Sequence, residues 1–166
     1  IVGDACKAMI RACPALSSVL EIYRNTITCS KNNGKIEILS ADAGTKHGKS
    51  PSCIIYDELH TAPNRDLWDA MQTGVGARQE PLSISITTAG HDKHSLCYQQ
   101  HEYAEKVRSG TVVDRSHLPV LFGADKDADW KSPAVWRAAN PNLGVSVEES
   151  FLQSECEKAQ ELPGHE

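Results

Sequence analysis

The chain has 166 residues, of which 40% are hydrophobic and 23% are charged, with a formal net charge of −5. This composition describes a soluble globular domain with enough residues for one ordinary core, and the negative balance argues against a generally basic surface that coats nucleic acid, while leaving room for a local basic patch. No apolar run approaches the roughly 18–20 residues that span a membrane, and the first residues have neither the basic nor the apolar part of a signal peptide.

The six cysteines indicate a reduced protein. None has CxxC spacing, and several lie at positions expected on apolar faces, so they predict core thiols of a cytosolic protein rather than a disulfide framework. The chain also lacks an initiator methionine and ends in the linker-like Leu162-Pro163-Gly164. We therefore expect an excised piece of a longer protein.

Periodicity and turn residues predict alternating strands and helices. The expected elements, in chain order, are a helix over 3–13, strands over 19–29 and 35–40, a loop over 41–52, a strand over 53–57, a short helix around Leu67, a buried strand over 82–88, a helix over 94–109, a strand from His117 to Phe122 and a last helix through about Glu161. This order indicates an α/β fold with a mostly parallel sheet flanked by helices.

Local patterns predict the faces and ends of these elements. The first helix has one stripe formed by Ala5, Met9 and Ala12. The remaining patterns are an Asn33-Gly34 hairpin turn, a helix start near Asn64, Ser95 and Gly110 as the two ends of the helix over 94–109, and Ser146 with Glu149 as a capping box for the last helix.

The segment from Cys53 to His60 is the most informative part of the chain. Three apolar residues run directly into two adjacent carboxylates, Asp57 and Glu58. A buried strand that ends in this way places a magnesium-directed acid beside a water-activating acid at the carboxyl edge of the sheet, as in nucleotide-driven motors. The alternative, a strand followed by a charged turn, stays open for this segment taken alone.

Two further features support a hydrolysis site. The strand over 82–88 ends in Thr87-Thr88-Ala89-Gly90, whose hydroxyls would sense a γ-phosphate through the catalytic water, or would simply finish a strand. His60 follows the acidic pair, and it either relays contact between the hydrolysis site and Thr87-Thr88 or is a simple turn histidine.

A second pattern imitates a phosphate loop. Residues 43–50 end in Gly-Lys-Ser, but Pro51 and then a strand follow, where a phosphate loop would open a helix. We therefore reject it. Lys46 and Lys49 would approach a nucleotide or a neighbouring subunit, although a solvated basic loop is the preferred alternative. Arg78 would stabilise phosphate charge in its own or an adjacent subunit, although a surface arginine is the preferred alternative.

Other chemistries have little support. His91, His94 and His101 lie close in sequence but span a loop–helix junction, so we favour a solvated helix start over a zinc site. The chain has no Gly-x-Ser-x-Gly elbow of a serine hydrolase, and it lacks the basic and aromatic interleaving of a module that recognises nucleic acid.

The order of the segments resembles a known family over roughly residues 1–162. The blocks are LSADAGTKHGKSPSCIIYDELH, LWDAMQTGVGARQEPLSISITTAGHD, YQQHEYAEKV and DWKSPAVWRAANPNLGVSV. Together they resemble the large subunit of the tailed-bacteriophage terminase, the DNA-packaging motor. The WRAANPNLGVSV stretch is the most distinctive of them.

The resemblance implies a P-loop NTPase fold of the additional-strand type, incomplete at the N-terminus. Residues 1–145 would be a partial ATPase domain that lacks the upstream phosphate loop. Residues 146–166 would be a helix and the start of a linker toward an absent nuclease domain. The fragment alone would bind ATP poorly and be inactive.

The resemblance also implies roles and partners. Asp57 resembles the Walker B acid on the magnesium side, Glu58 the catalytic base, and Thr87, Thr88 and Gly90 the coupling motif. The cofactors would be ATP and Mg²⁺. The partners would be double-stranded DNA, the small terminase subunit, the portal of the procapsid and further copies of the chain in a ring, in the host bacterial cytoplasm; the parent protein would also cut DNA.

Two other functions remain as alternatives. A helicase or similar nucleic-acid-dependent ATPase has a comparable acidic box, but it would require a second motor domain. A non-catalytic assembly domain would lack any upstream phosphate loop. A reading frame that continues into an acidic nuclease, or one that begins with a phosphate loop, separates these alternatives from a terminase.

Overall fold

The architecture is taken from a computed structural model that describes residues 2–39, 48–90 and 92–161. Its elements are α1 Val2–Ala12, α2 Pro14–Ser17, β1 Leu20–Ile22, β2 Thr26–Cys29, β3 Lys35–Glu37, β4 Cys53–Asp57, a 3₁₀ helix Leu59–Thr61, α3 Asp66–Val75, β5 Leu82–Ile86, α4 Leu96–Arg108, α5 Pro133–Ala139 and α6 Glu149–Glu161. They form two compact units, Ile1–Glu102 and Tyr103–Glu166. The domain boundary expected near residue 145 stays a prediction.

The first three strands form an antiparallel sheet in the order β1-β2-β3. The sequence predicted a single strand over 19–29, and this was wrong. The chain reverses at Arg24-Asn25, where the Tyr23 amide donates to the Thr26 carbonyl at 2.8 Å. The second hairpin was predicted correctly, since Asn33 adopts a φ of 56° in the turn that leads to β3.

The second sheet is a parallel pair. Cys53 in β4 lies opposite Leu82 in β5, and Asp57 lies opposite Ile86. Among the named strands of the described residues this is the one parallel pair, while β1-β2 and β2-β3 are antiparallel. The prediction of a mostly parallel sheet is thus confirmed only in part. Tight turns connect the first three strands, and strands joined by a tight turn run antiparallel, since parallel strands need a long crossover connection.

A small core fixes the end of β4. On one face of the strand, Ile54 packs with Leu67 and Met71 of α3. Beyond the strand end, Leu59 packs with Leu96 and Cys97 of α4. Burying each such leucine or methionine contributes about 1.5–3 kcal/mol, so the segment between Ile54 and Leu59 is held from both sides.

The opposite face of the parallel pair is open in the described part of the chain. Ile55 is 56% exposed, and β5 is exposed along its length, with Ile86 at 52%. The sequence predicted β5 as a buried strand. The prediction of the strand was correct and that of its burial was wrong, since a β-branched composition records strand preference without revealing which face is covered.

Helix α1 was predicted correctly, and its buried face differs from the predicted stripe. Ala5, Met9 and Ala12 are all exposed, and Ile10 is the buried residue. The less exposed positions include Cys6 and Ile10, which are four residues apart and therefore share a face. Because small and polar residues occupy the rest of that face, an apolar stripe in the sequence does not identify it.

The ends of α4 agree with the sequence. The Ser95 hydroxyl accepts a hydrogen bond from the Tyr98 amide at 3.2 Å, as a helix cap does, and Gly110 follows the helix with a φ of +76°. Likewise, the Asn64 side chain accepts from the amide of Asp66, the first residue of α3.

Two predictions for the second unit were wrong. The stretch from His117 to Phe122 is not a strand, and Leu118 is 85% exposed; no described strand offers its backbone a partner. The capping box was also wrong, since α6 begins only at Glu149. Both Glu149 carboxylate oxygens instead accept from Arg137 at 2.7 Å, and the Ser146 hydroxyl accepts from Asn142.

Within the residues described, none of the helices combines the length and the apolar character needed to cross a bilayer.

Candidate active site

The acidic pair lies where β4 ends. Asp57 is the last strand residue, and Glu58 follows in the left-handed region with φ 55° and ψ 51°. For an L-residue other than glycine this conformation costs about 1–2 kcal/mol. It persists because Leu59 is fully buried and because the Glu58 carbonyl accepts hydrogen bonds from the amide and the hydroxyl of Thr61, each at 2.9 Å.

Backbone strain of this kind is concentrated at functional sites, where the surrounding structure enforces it. Here it lies between the end of β4 at Asp57 and the start of the 3₁₀ helix at Leu59. The Glu58 side chain is 50% exposed, and Asp57 is half-buried. The described residues therefore leave the Glu58 carboxylate accessible to a ligand instead of enclosing it.

The parallel register brings the second predicted motif to the same edge. Because Asp57 lies opposite Ile86, the chain leaves both strands side by side, with Glu58 on one and Thr87 on the other. The Thr87 hydroxyl accepts a hydrogen bond from the His60 backbone amide at 3.0 Å and donates to the Thr88 carbonyl at 2.9 Å. The two predicted motifs are thus connected through His60.

His60 lies between the two motifs. Its Nδ1 is 3.1 Å from Thr87 Oγ1, 3.5 Å from Thr88 Oγ1 and 3.4 Å from Glu58 Oε2. A side chain on Gly90 would place its Cβ 3.2 Å from the His60 Cβ, so glycine allows the chain after β5 to pass close to the histidine. Four of the sequence-predicted residues are brought together around this one ring.

Cys97 is a contact that the sequence did not indicate. Its Sγ lies 3.7 Å from Thr87 Oγ1, and the residue is buried beside Leu59. It connects the threonine at the end of β5 with α4. An isolated cysteine at the start of an amphipathic helix carries no pattern that would identify such a contact from sequence alone.

The predicted basic residues lie elsewhere. Lys49 forms an ion pair with Glu37, and together with Lys35 it lowers the pKa of that carboxyl to about 2. The Arg78 guanidinium donates twice to the Ser50 carbonyl, at 2.9 and 2.6 Å. Both side chains are thus engaged within their own chain, and their approach to a nucleotide stays a prediction. Lys46, most of the 43–50 segment and His91 lie outside the described residues.

The donor set suits a hard cation that is shared with a phosphate. Within the residues that the structure describes, no group of three or more histidine, cysteine or acidic side chains could hold a metal by itself. The edge offers carboxylate and hydroxyl oxygens instead. Mg²⁺ is commonly bound in this way, through one or two carboxylates together with substrate phosphates and water.

Comparison with known proteins gives consistent results. Residues 4–106 match the family model "Terminase large subunit, ATPase domain". The chain is 38% identical over 112 residues to Protein YmfN of Escherichia coli (strain K12), covering 68% of this chain and 25% of that protein. It is 34% identical over 136 residues to the terminase large subunit of Enterobacteria phage HK97, covering 81% of this chain and 26% of that protein.

A solved structure is similar as well. The crystal structure of the HK97 bacteriophage large terminase superimposes with a TM-score of 0.82 at 30% identity, covering 98% of this chain and 34% of that one. The chain spans about a quarter of the length of the two curated relatives.

Proposed function

This chain belongs to the terminase large subunit ATPase family, and from that membership we propose that the edge formed by β4 and β5 hydrolyses ATP to drive double-stranded DNA into a viral procapsid. The observation that carries the proposal is the parallel register of Asp57 with Ile86. That register sets the strained Glu58 beside Thr87 and Thr88. A site that hydrolyses ATP and responds to the loss of the γ-phosphate needs these groups close together.

The residues take distinct roles in this proposal. Mg²⁺, when bound, would neutralise charge on the β- and γ-phosphates. Asp57 accepts hydrogen bonds from the water shell of the cation, for which a half-buried carboxylate is suited. Glu58 orients the attacking water and accepts its proton. Its backbone is left-handed and its side chain is 50% exposed, so the carboxylate is accessible to a water molecule.

Thr87 and Thr88 complete the edge. Their hydroxyls follow β5 directly and lie beside His60. Loss of the γ-phosphate would change the hydrogen bonds available to these hydroxyls. Through the Thr87–Cys97 contact, that change would reach α4. Gly90 lets the connecting chain pass His60 closely enough for the contacts to persist.

The full motor requires more than these residues. Since the relatives are about four times as long as the matched segment, we propose that a phosphate loop precedes residues 1–145 and that a nuclease domain follows the linker that begins within 146–166. The working form would be a ring of copies in the bacterial cytoplasm. It would bind the small terminase subunit and the portal of the procapsid. The fragment alone would be inactive.

Phosphate release from ATP by the purified full-length protein tests the proposed function. We expect turnover in the presence of Mg²⁺, loss of turnover when EDTA removes the cation, and recovery when excess Mg²⁺ is restored. Double-stranded DNA should raise the rate. A protein that releases no phosphate with Mg²⁺, with or without DNA, would be a non-catalytic assembly domain, and the proposal would be wrong.

A further inference from the structure

His60 has an unusual position between the two strand ends. Of its two ring nitrogens, Nδ1 lies 3.4 Å from Glu58 Oε2 after β4, and 3.1 and 3.5 Å from the hydroxyls of Thr87 and Thr88 after β5. The side chain is 26% exposed, so it is held without being rigidly enclosed. One nitrogen therefore has partners at the ends of both β4 and β5.

The neighbours of Nδ1 are both hydrogen-bond acceptors, so Nδ1 must carry a hydrogen to bind either of them. An ionised Glu58 carboxylate can only accept, so Nδ1 can serve it only by donating a proton. The Thr87 hydroxyl donates its own hydrogen to the Thr88 carbonyl, which leaves its oxygen as an acceptor toward His60. Both neighbours thus require the protonated Nδ1. Since Nδ1 has one hydrogen, a strong bond to one neighbour weakens the bond to the other.

The backbone keeps this competition in place. The His60 amide also donates to Thr87 Oγ1 at 3.0 Å, so the residue stays attached to β5 whichever way its ring turns. Gly90 passes close to the histidine, where an added Cβ would lie 3.2 Å from the His60 Cβ in a tight contact. A small rotation of the ring is then enough to move the Nδ1 proton from Thr87 toward Glu58.

We propose that His60 is a positioning residue whose Nδ1–H alternates between the Glu58 carboxylate and the Thr87-Thr88 hydroxyls, orienting Glu58 for hydrolysis and transmitting its state to β5. This role rests on the proposed hydrolysis at Glu58 and goes beyond it. When Nδ1–H binds Glu58, the carboxylate is fixed toward the attacking water. When Glu58 is engaged elsewhere, the same proton strengthens the bond to Thr87.

Three substitutions of His60 in the full-length protein test the proposal. The amide nitrogen of asparagine falls close to the position of Nδ1, whereas that of glutamine reaches the position of Nε2. We expect His60→Ala and His60→Gln to lower kcat for ATP hydrolysis by about 10- to 100-fold with little change in KM, as for other residues that orient a catalytic group. His60→Asn should recover most of the lost rate. The exposed His94, changed to asparagine, is the matched control and should leave the rate unchanged.

A merely structural histidine would behave differently. Rescue would then follow side-chain volume, with glutamine better than asparagine, and thermal midpoints would fall in parallel with the rates. Rescue by glutamine but not asparagine, or equal kcat in all three variants, would overturn the role of His60. Midpoints measured for each variant identify any loss of rate that comes from unfolding.

A double-mutant cycle with Thr87→Val adds an independent readout. If Nδ1 and Thr87 act as one unit, Thr87→Val should lower kcat by a smaller factor in the His60→Ala background than in the wild-type background, because the bond between them is already absent there. Additive losses would contradict the proposal. Such a result would leave ATP hydrolysis at Glu58 intact, since failure of the proposed function would appear instead as no turnover in the unsubstituted protein.

Discussion

Glu58→Gln in the full-length protein is expected to retain ATP binding and to lower kcat for hydrolysis by about 10²- to 10⁴-fold. Glutamine has nearly the same shape as glutamate and would occupy the same left-handed backbone conformation at residue 58. The end of β4 and the packing of Leu59 should therefore be preserved. It cannot accept a proton from water. The loss should therefore appear in the chemical step and not in nucleotide affinity.

Phosphate release and binding of a fluorescent ATP analogue measure the two quantities separately. Glu80→Gln is a suitable control, because Glu80 is exposed in the segment just before β5 and should leave turnover unchanged. Turnover by Glu58→Gln at the wild-type rate would remove Glu58 from the chemistry. Loss of ATP binding would show instead that the carboxylate acts on the nucleotide or its metal.

Asp57→Asn should have the second largest effect. The substitution preserves volume at a half-buried position opposite Ile86, so the register of the parallel pair should survive. It removes the negative charge that attracts the water shell of the cation. We expect the Mg²⁺ concentration for half-maximal activity to rise by about 10- to 100-fold, as for other groups that act on a metal through its bound ligands.

A titration of ATPase activity with Mg²⁺ measures this shift. Asp69→Asn is the matched control, since Asp69 is an exposed carboxylate on α3 that is paired with Arg65. The loss of such a surface pair costs about 1 kcal/mol or less and should leave the magnesium dependence unaltered. An Asp57→Asn protein with the wild-type magnesium requirement would contradict the role of Asp57.

Local patterns predicted those parts of the fold that depend on neighbouring residues. The cap at Ser95 and the stop at Gly110 both rest on interactions within a few residues. The strand expected over His117 to Phe122 failed for the converse reason. Its alternating apolar residues suit a strand, but a strand also needs a partner, which periodicity does not record.

At the candidate site, too, the sequence predicted local features but not those that depend on tertiary packing. The type and order of Asp57, Glu58 and the two threonines were visible in the sequence, as was their expected meeting at one edge. The positive φ of Glu58 was not, because no local pattern marks a glutamate that tertiary packing forces into the left-handed region. The contact of His60 with both motifs depends on the strand register across 27 residues.

A structure of the full-length protein with Mg²⁺ and a non-hydrolysable ATP analogue tests the central claim most directly. We expect the Glu58 carboxylate within about 3.2 Å of a water molecule that faces the γ-phosphate, and Asp57 at hydrogen-bond distance from the water shell of the cation. A nucleotide bound away from the carboxyl ends of β4 and β5, with both carboxylates facing bulk solvent, would contradict it.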